Sequence, residues 1–477
     1  MDRLTLNRII RFQDTGGCFS IPVSTAVLTL LWSVTTGATT DLQATTEQAV
    51  VTVCGGFVQN NDAVTADQQD LFARCAEMVH NSRELDRIPP GPTTNTLGLD
   101  NEQLDAAYQQ LAAEETIAPG NMATDTANIQ TTAILGRIDA LRGSGGSLAR
   151  TDPGTDSPGS RTLVASLNDA LTLGLANGTT TLNGDWRRLG IFVNGDFGFG
   201  EKDTSDREDG FDYDSRGVTA GVDYRLTEAL VLGGAVGYSR LSADFKKSTN
   251  VTGGSVDADS YNVFGYGLYT VGGYYVNGLL GYTSTSFDID RRILYEPAPG
   301  STAEGANRTA TADTDGSQVE VSLAGGYDYR RNALTISPEL RLDYLNADID
   351  SYRESGAQGL VLQVDDQTIE SFTSALGVQA SFTTSHSFGA LIPQARVEWI
   401  HEFSNDGRRI ETQYVNDPRN NVLALQTEDP DRNYALIGLG VSAVFQSGMQ
   451  AFINYETLQG LKNIESHLIT AGIRLEM

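Results

Sequence analysis

Apolar and polar residues alternate with a period of two along most of residues 186–477. In 229–245, for example, Leu232, Val236 and Tyr238 share one face, and small residues occupy the other. Alternation of this kind predicts β-strands. Strands of about ten residues with one apolar and one small or polar face are typical of transmembrane β-barrels.

The connections between these predicted strands alternate between short and long. The short connections are 226–228, 271–273, 331–332, 384–386 and 446–448, and the long ones are 200–211, 246–255, 289–315, 351–366, 404–430 and 459–464. Outer-membrane barrels have short periplasmic turns and longer outside loops, whereas a soluble sandwich has no reason to alternate in this way. The sequence therefore predicts a mainly β protein, with an antiparallel transmembrane β-barrel of about twelve strands at 184–477.

Several short motifs in this region carry a family resemblance. They lie at 186–193, 217–225, 233–239, 261–269, 272–277 and 471–475. In order, spacing and position they resemble the C-terminal translocator domain of classical (type V) autotransporters. The resemblance implies an outer-membrane barrel that exports or anchors its own N-terminal region. It also implies three kinds of partner: outer-membrane lipid, the barrel-assembly machinery and periplasmic chaperones.

The end of the chain departs from the family pattern. The resemblance implies that Ile473, Leu475 and Met477 form a terminal signal read by the assembly machinery. The family usually ends in Phe. Because Met477 is apolar and in register, we expect weakened rather than lost recognition.

The first 38 residues resemble an export signal. Basic residues precede an apolar stretch at 21–34, and small residues at 36–38 would form a cleavage site. The alternative is a buried helix of the mature protein. Export through the inner membrane predicts a bacterial outer-membrane location.

Residues 39–142 predict a small helical segment, either periplasmic or passenger-like, with helices at 67–83, 100–117 and 124–142. Passengers of the family are commonly long β-helices, and no such repeat is present. Residues 143–183 predict a flexible linker followed by a helix with a leucine stripe. The stripe consists of Leu163, Leu167, Leu171 and Leu175. The resemblance implies that this helix threads the barrel lumen, and the alternative is an ordinary periplasmic helix.

Two cysteines remain once the signal is removed. Cys54 and Cys75 predict a disulfide in an oxidising compartment. A zinc or redox pair is the weaker alternative, because the chain has no C-x-x-C motif.

Charge and motifs narrow the function further. The net charge of −28 argues against nucleic-acid binding. The absence of hydrolase, metalloprotease and nucleotide-binding motifs predicts a protein that is not an enzyme and holds no cofactor or metal. Glu398, Glu456 and Arg474 fall on the polar face of their strands and predict charges in the lumen. In the family such charges contact the helix that threads the lumen.

Two other functions fit the same pattern. A porin-like channel would conduct solutes through the lumen. An adhesin or interaction protein would act through its long acidic loops.

Overall fold

The computed structural model describes residues 46–53, 65–88, 96–112, 114–144, 188–205, 207–247, 253–404 and 406–476. Twelve long antiparallel strands in this part of the chain form one sheet. They are β1 (Leu189–Lys202), β2 (Phe211–Arg225), β3 (Leu230–Phe245), β4 (Gly254–Val271), β5 (Tyr274–Tyr295), β6 (Ala306–Tyr327), β7 (Leu334–Ile349), β8 (Gln367–Phe382), β9 (Gly389–Glu402), β10 (Asn433–Phe445), β11 (Met449–Gln459) and β12 (Ile464–Glu476). Each strand pairs with its neighbours, and β12 pairs with β1, so the sheet closes into a barrel with no free edge.

The predicted alternation describes the wall of this barrel. Val236, Tyr274 and Leu280 point outward, with side chains 58–64% exposed. Thr219 and Asn262 point inward and are buried. An apolar outer face and a polar inner face are what a lipid-embedded barrel requires. The predicted fold class is confirmed.

The two ends of the barrel differ as predicted. One end, the short-turn end, carries the turns after β2, β4, β6, β8 and β10, and two of these hairpins are extended by the short strands Tyr329–Arg331 and Thr384–His386. The other end, the long-loop end, carries the remaining connections. In outer-membrane barrels the short turns face the periplasm.

Three predicted loops contain more structure than expected. The stretch 289–315 belongs mostly to β5 and β6, which are 22 residues long, so the loop between them is only 296–305. Parts of 351–366 and 404–430 pair with each other in a small four-stranded sheet. Its strands are Tyr352–Arg353, Leu362–Val364, Arg409–Tyr414 and Val422–Gln426. Pairing between distant loops leaves no local period in the sequence, which is why these strands were missed.

In the described part of the chain, three helices and a helical stretch at 46–53 precede the barrel. They are α1 (Ala66–Leu85), α2 (Asn101–Ala112) and α3 (Ala118–Ser144), and each overlaps a predicted helix. Thr65 and Gln68 form a capping box that starts α1. Pro119 lies in the first turn of α3, where backbone N–H groups have no partner within the helix, so the missing N–H of proline costs no hydrogen bond.

The described parts of residues 46–112, namely 46–53, 65–88 and 96–112, pack onto the long-loop end. Their buried side chains share one hydrophobic core with residues of the β5–β6 hairpin and of the small four-stranded sheet. Leu71, Met78 and Tyr108 from the helices meet Tyr295 and Leu360 in this core. We call residues 46–112 the helical cap.

Candidate functional site

Helix α3 lies inside the barrel and runs from one end to the other. At its start, Met122 packs with Phe211 and Phe245 near the long-loop end. At its end, Arg142 reaches Glu339 near the start of β7, at the short-turn end. The chain therefore passes from the cap, through the lumen, to the end from which β1 begins.

The first contacts of α3 with the wall are made at the long-loop end. The Asn121 side-chain oxygen accepts a hydrogen bond of 3.1 Å from the Arg408 guanidinium. Gly120 leaves room for this guanidinium, since a Cβ there would lie 2.0 Å from its Nη1 atom. A side chain at position 120 would require the Arg408 guanidinium to move.

The middle of α3 presents a polar face and an apolar stripe. The Thr219 hydroxyl donates to Gln130 at 2.7 Å, and Thr131 donates to Glu320. Further along, Ile134 packs in an apolar cluster that the inner faces of β1, β3, β4 and β5 provide. Burial of such side chains stabilises the helix by roughly 1.5–3 kcal/mol each.

Arg137 provides the strongest anchor of α3. Its side chain is fully buried, and its guanidinium donates to both carboxylate oxygens of Asp223, at 2.7 and 3.0 Å. Tyr266 donates to the same carboxylate at 3.1 Å, and Glu476 lies 3.7 Å from the guanidinium. Removing one partner of such a buried pair leaves an uncompensated charge and typically costs about 3–5 kcal/mol. The pair therefore fixes both the depth and the rotation of the helix.

Arg142 provides a second anchor, one turn further on. It forms an ion pair of 3.0 Å with Glu339 and stacks 3.8 Å above the ring centre of Tyr275. The Arg330 guanidinium donates to the carbonyl of Arg142 at 3.2 Å. A cation at a helix C-terminus is favourable because the last carbonyls carry partial negative charge.

The structure places the three predicted lumen charges on the inner wall. Arg474 donates to the carbonyl of Gly136 at 2.9 Å and lies 3.9 Å from the ring centre of Phe452. Glu398 is buried and pairs with Arg341 at 3.1 Å and with Arg396.

Two cavities lie beside α3 in the lumen. Glu456, the third predicted lumen charge, lines both of them. Of the three, only Arg474 forms a hydrogen bond with α3 among the described residues. The missed lumen residues are Arg137 and Arg142. The sequence signal that could have identified them was the presence of two arginines beside the apolar stripe of the helix predicted at 124–142.

Ion pairs also join the helical cap to the long loops. Arg308 binds Asp70 of α1, with an Nη2–Oδ1 distance of 2.7 Å. Arg74 pairs with Glu304 at 3.0 Å. Burial acts against the charged form of Asp70, but bonds from Arg308 and from the backbone of Gly359 outweigh it and lower the pKa of Asp70. These contacts hold α1 on the β5–β6 hairpin.

The junction between cap and barrel contains a second cluster of charges. The Arg291 guanidinium donates two hydrogen bonds of 2.6–2.7 Å to the Glu354 carboxylate, and both side chains are buried. Glu115, just before α3, shares this environment. Burial raises the pKa of Glu115 to about 8, and the attraction of Arg291 opposes the shift only in part.

Several predicted residues lie outside the described part of the chain. These are the signal at 1–38, the leucine stripe of Leu163, Leu167, Leu171 and Leu175, Cys54 and Met477. Their roles stay predictions. Cys75 is buried in the cap core. Ile473 points outward and Leu475 is half-buried, both on β12, which pairs with β1.

Within the described residues, no three His, Cys, Asp or Glu side chains are grouped so that they could hold a metal ion. No helix in that part of the chain is long and apolar enough to cross a membrane.

Comparison with known proteins decides the family. The model of the autotransporter beta-domain matches residues 191–456, which is more than half of the chain. The chain belongs to the autotransporter beta-domain family. Its barrel is an outer-membrane translocator domain.

The curated relatives are longer proteins. Lipase 1 of Photorhabdus luminescens is 24% identical over 259 residues, which cover 53% of this chain and 36% of that protein. Esterase EstA of Pseudomonas aeruginosa is 27% identical over 273 residues, which cover 54% and 38%. The chain thus spans little more than a third of their length. Among solved structures, the translocator domain of the autotransporter NalP from Neisseria meningitidis has a TM-score of 0.48 and 18% identity, and the match covers 67% of this chain and 97% of that domain.

Proposed function

We propose that this autotransporter barrel exports its own N-terminal region and keeps it on the cell surface as the helical cap. The observation that carries the proposal is the path of the chain. The cap packs on the long-loop end, and α3 leads from it through the lumen to the short-turn end. If the short turns face the periplasm, the cap lies outside the cell.

The contacts between cap and loops favour a cap that is retained rather than released. Buried apolar side chains from both parts form one core, and Arg308 and Arg74 tie the loops to α1. Detaching the cap would expose this core to water at about 25 cal/mol for each Å² of apolar surface. Lipid surrounds the barrel, and we propose the barrel-assembly machinery and periplasmic chaperones as its partners during insertion.

The proposal does not include an enzymatic activity. The esterase and lipase names belong to relatives that are mostly outside the length matched by this chain. No hydrolase motif is present in the sequence. We keep the prediction that the chain is not an enzyme, and an ester-hydrolysis assay on whole cells checks it.

Protease treatment of intact cells tests the display. An epitope tag is inserted beside Thr94, and a matched control carries the same tag beside Glu228 in a short turn. We expect the first tag to be removed from intact cells and the second only after the outer membrane is breached. Protection of the first tag in intact cells would contradict the proposal and would favour a periplasmic cap.

A further inference from the structure

The larger of the two cavities beside α3 lies toward the long-loop end and has a volume of about 1160 Å³. It reaches from Pro430 and Leu461, in two long loops, to Ile129 in the middle of α3. Small-molecule sites in proteins have volumes of roughly 300–1,000 Å³. The cavity is therefore large enough to hold a ligand that enters from the long-loop end.

Arg408 brings a guanidinium without a counter-ion to the wall of this cavity. Its side chain is half-buried and donates to two neutral oxygens, Oδ1 of Asn121 at 3.1 Å and Oε1 of Gln367 at 3.5 Å. By contrast, the buried Arg137 and Arg291 each donate two bonds to a carboxylate. Among the described residues, no carboxylate forms an ion pair with Arg408. Burial lowers the pKa of Arg408 to about 10, which leaves the guanidinium charged at neutral pH.

The backbone around Arg408 is held in place. Its N–H donates to the Thr427 hydroxyl at 2.7 Å, and its carbonyl accepts from the Thr427 N–H at 2.9 Å. This pair continues the two strands of the small sheet, Arg409–Tyr414 and Val422–Gln426. A charged group that the fold already positions loses little conformational entropy when it binds a ligand.

The charges nearest to Arg408 favour an anion. Arg207 lines the same cavity, and its guanidinium donates to the Thr427 carbonyl at 3.4 Å, which adds positive charge on this side. Several carboxylates of the cavity are already paired with cations: Glu208 with Lys202, Asp343 with Arg341, and Asp431 with Lys462. The cavity as a whole has more carboxylates than cations, so an anion would be held beside Arg408 rather than elsewhere in it.

Apolar side chains continue the wall next to this guanidinium. Ile369 lies two positions after Gln367 on the inner face of β8, about 7 Å further along the strand. Leu345 is close to it on the paired strand β7, and both side chains are buried and line the cavity. A planar guanidinium matches a carboxylate through two parallel hydrogen bonds. The wall therefore offers one cationic contact followed by an apolar surface.

We propose that this cavity is a binding site for an organic carboxylate with an apolar chain. The carboxylate pairs with Arg408, and the chain lies along Ile369 and Leu345. This activity goes beyond the export and display of the cap. It belongs to the finished protein, because α3 supplies part of the wall through Asn121 and Ile129.

Titration calorimetry with octanoate tests the proposal. The full-length protein is placed in phosphatidylcholine nanodiscs, and the heat measured with empty nanodiscs is subtracted. We expect octanoate to bind at one site. Octylammonium has the same chain with the opposite charge, and acetate and inorganic phosphate have negative charge without the chain. Each of these three should bind about tenfold or more weakly than octanoate. This comparison uses the wild-type protein and does not depend on the folding of a variant.

Variants then locate the site. Arg408→Gln removes the charge and should weaken octanoate binding about tenfold or more. Arg409→Gln is the matched control, because the adjacent Arg409 side chain is 62% exposed, pairs with Glu411 at 3.1 Å and does not line the cavity. Ile369→Ser should weaken octanoate binding several-fold. Each variant is first shown to migrate as a heat-modifiable folded barrel.

Three results would overturn the proposal. The first is octanoate binding no stronger than that of empty nanodiscs. The second is octylammonium, acetate or phosphate binding as tightly as octanoate. The third is folded Arg408→Gln binding octanoate as tightly as Arg409→Gln does. None of these results affects the display of the cap, which protease treatment of cells tests separately.

Discussion

The pair Arg137–Asp223 allows a sharp test of how α3 is held in the lumen. Asp223→Ala removes the carboxylate that accepts two bonds from the Arg137 guanidinium. Glu476, 3.7 Å away, compensates only in part. The loss should destabilise the docked helix by about 3–5 kcal/mol. Since 1.4 kcal/mol is a factor of ten, the undocked population should rise by about 10²- to 4 × 10³-fold.

Hydrogen exchange measures this population directly. In detergent micelles, the amides of α3 should exchange about 10²- to 4 × 10³-fold faster in Asp223→Ala, while the amides of β3 to β6 stay protected. The double variant Arg137→Met/Asp223→Leu is the control, because it removes both charges and keeps apolar volume. It should recover most of the protection. Unchanged exchange in Asp223→Ala, or a double variant as unprotected as the single one, would refute the reasoning.

Two further predictions concern the cap. Burial raises the pKa of Glu115 to about 8. Glu115 therefore binds a proton more tightly when the helical cap is docked on the barrel than when it is undocked. Docking of the helical cap on the barrel should therefore be strongest below about pH 4.5 and should weaken as the pH rises through 8. Glu115→Gln should remove this pH dependence. Protease digestion between pH 5 and 9 measures the docking. Arg308→Met should weaken the docking of α1 by roughly 0.2–1 kcal/mol, seen as faster exchange of α1 amides, because the Asp70 pair is partly exposed.

The barrel could be predicted from the sequence because its signal is local. A strand such as β3 must place every second side chain in lipid, so Leu232 and Val236 reveal the period without any knowledge of their neighbours. The even strand number and the two unequal ends followed from the same pattern. The extension of β5 and β6 did not, because residues 289–295 and 306–315 lie where the alternation no longer separates lipid from lumen.

The way the lumen is occupied depends on distant partners. Arg137 and Asp223 are 86 positions apart, and the sequence around each residue is ordinary. An apolar stripe predicts that a helix packs, but it does not identify the surface against which it packs. The sequence therefore predicted α3 as a packing helix, and the structure shows that its partner is the barrel wall. The prediction for the leucine-striped helix at 162–176 is still open.

The side of the membrane on which the cap lies is the central claim, and labelling with a membrane-impermeant maleimide tests it most directly. In a chain whose native cysteines are replaced by alanine, Glu102→Cys places a thiol on the exposed face of α2, and Glu228→Cys places one in a short turn. We predict that intact cells label Glu102→Cys, and that Glu228→Cys is labelled only after the outer membrane is opened. Labelling of Glu228→Cys in intact cells, with protection of Glu102→Cys, would contradict the account.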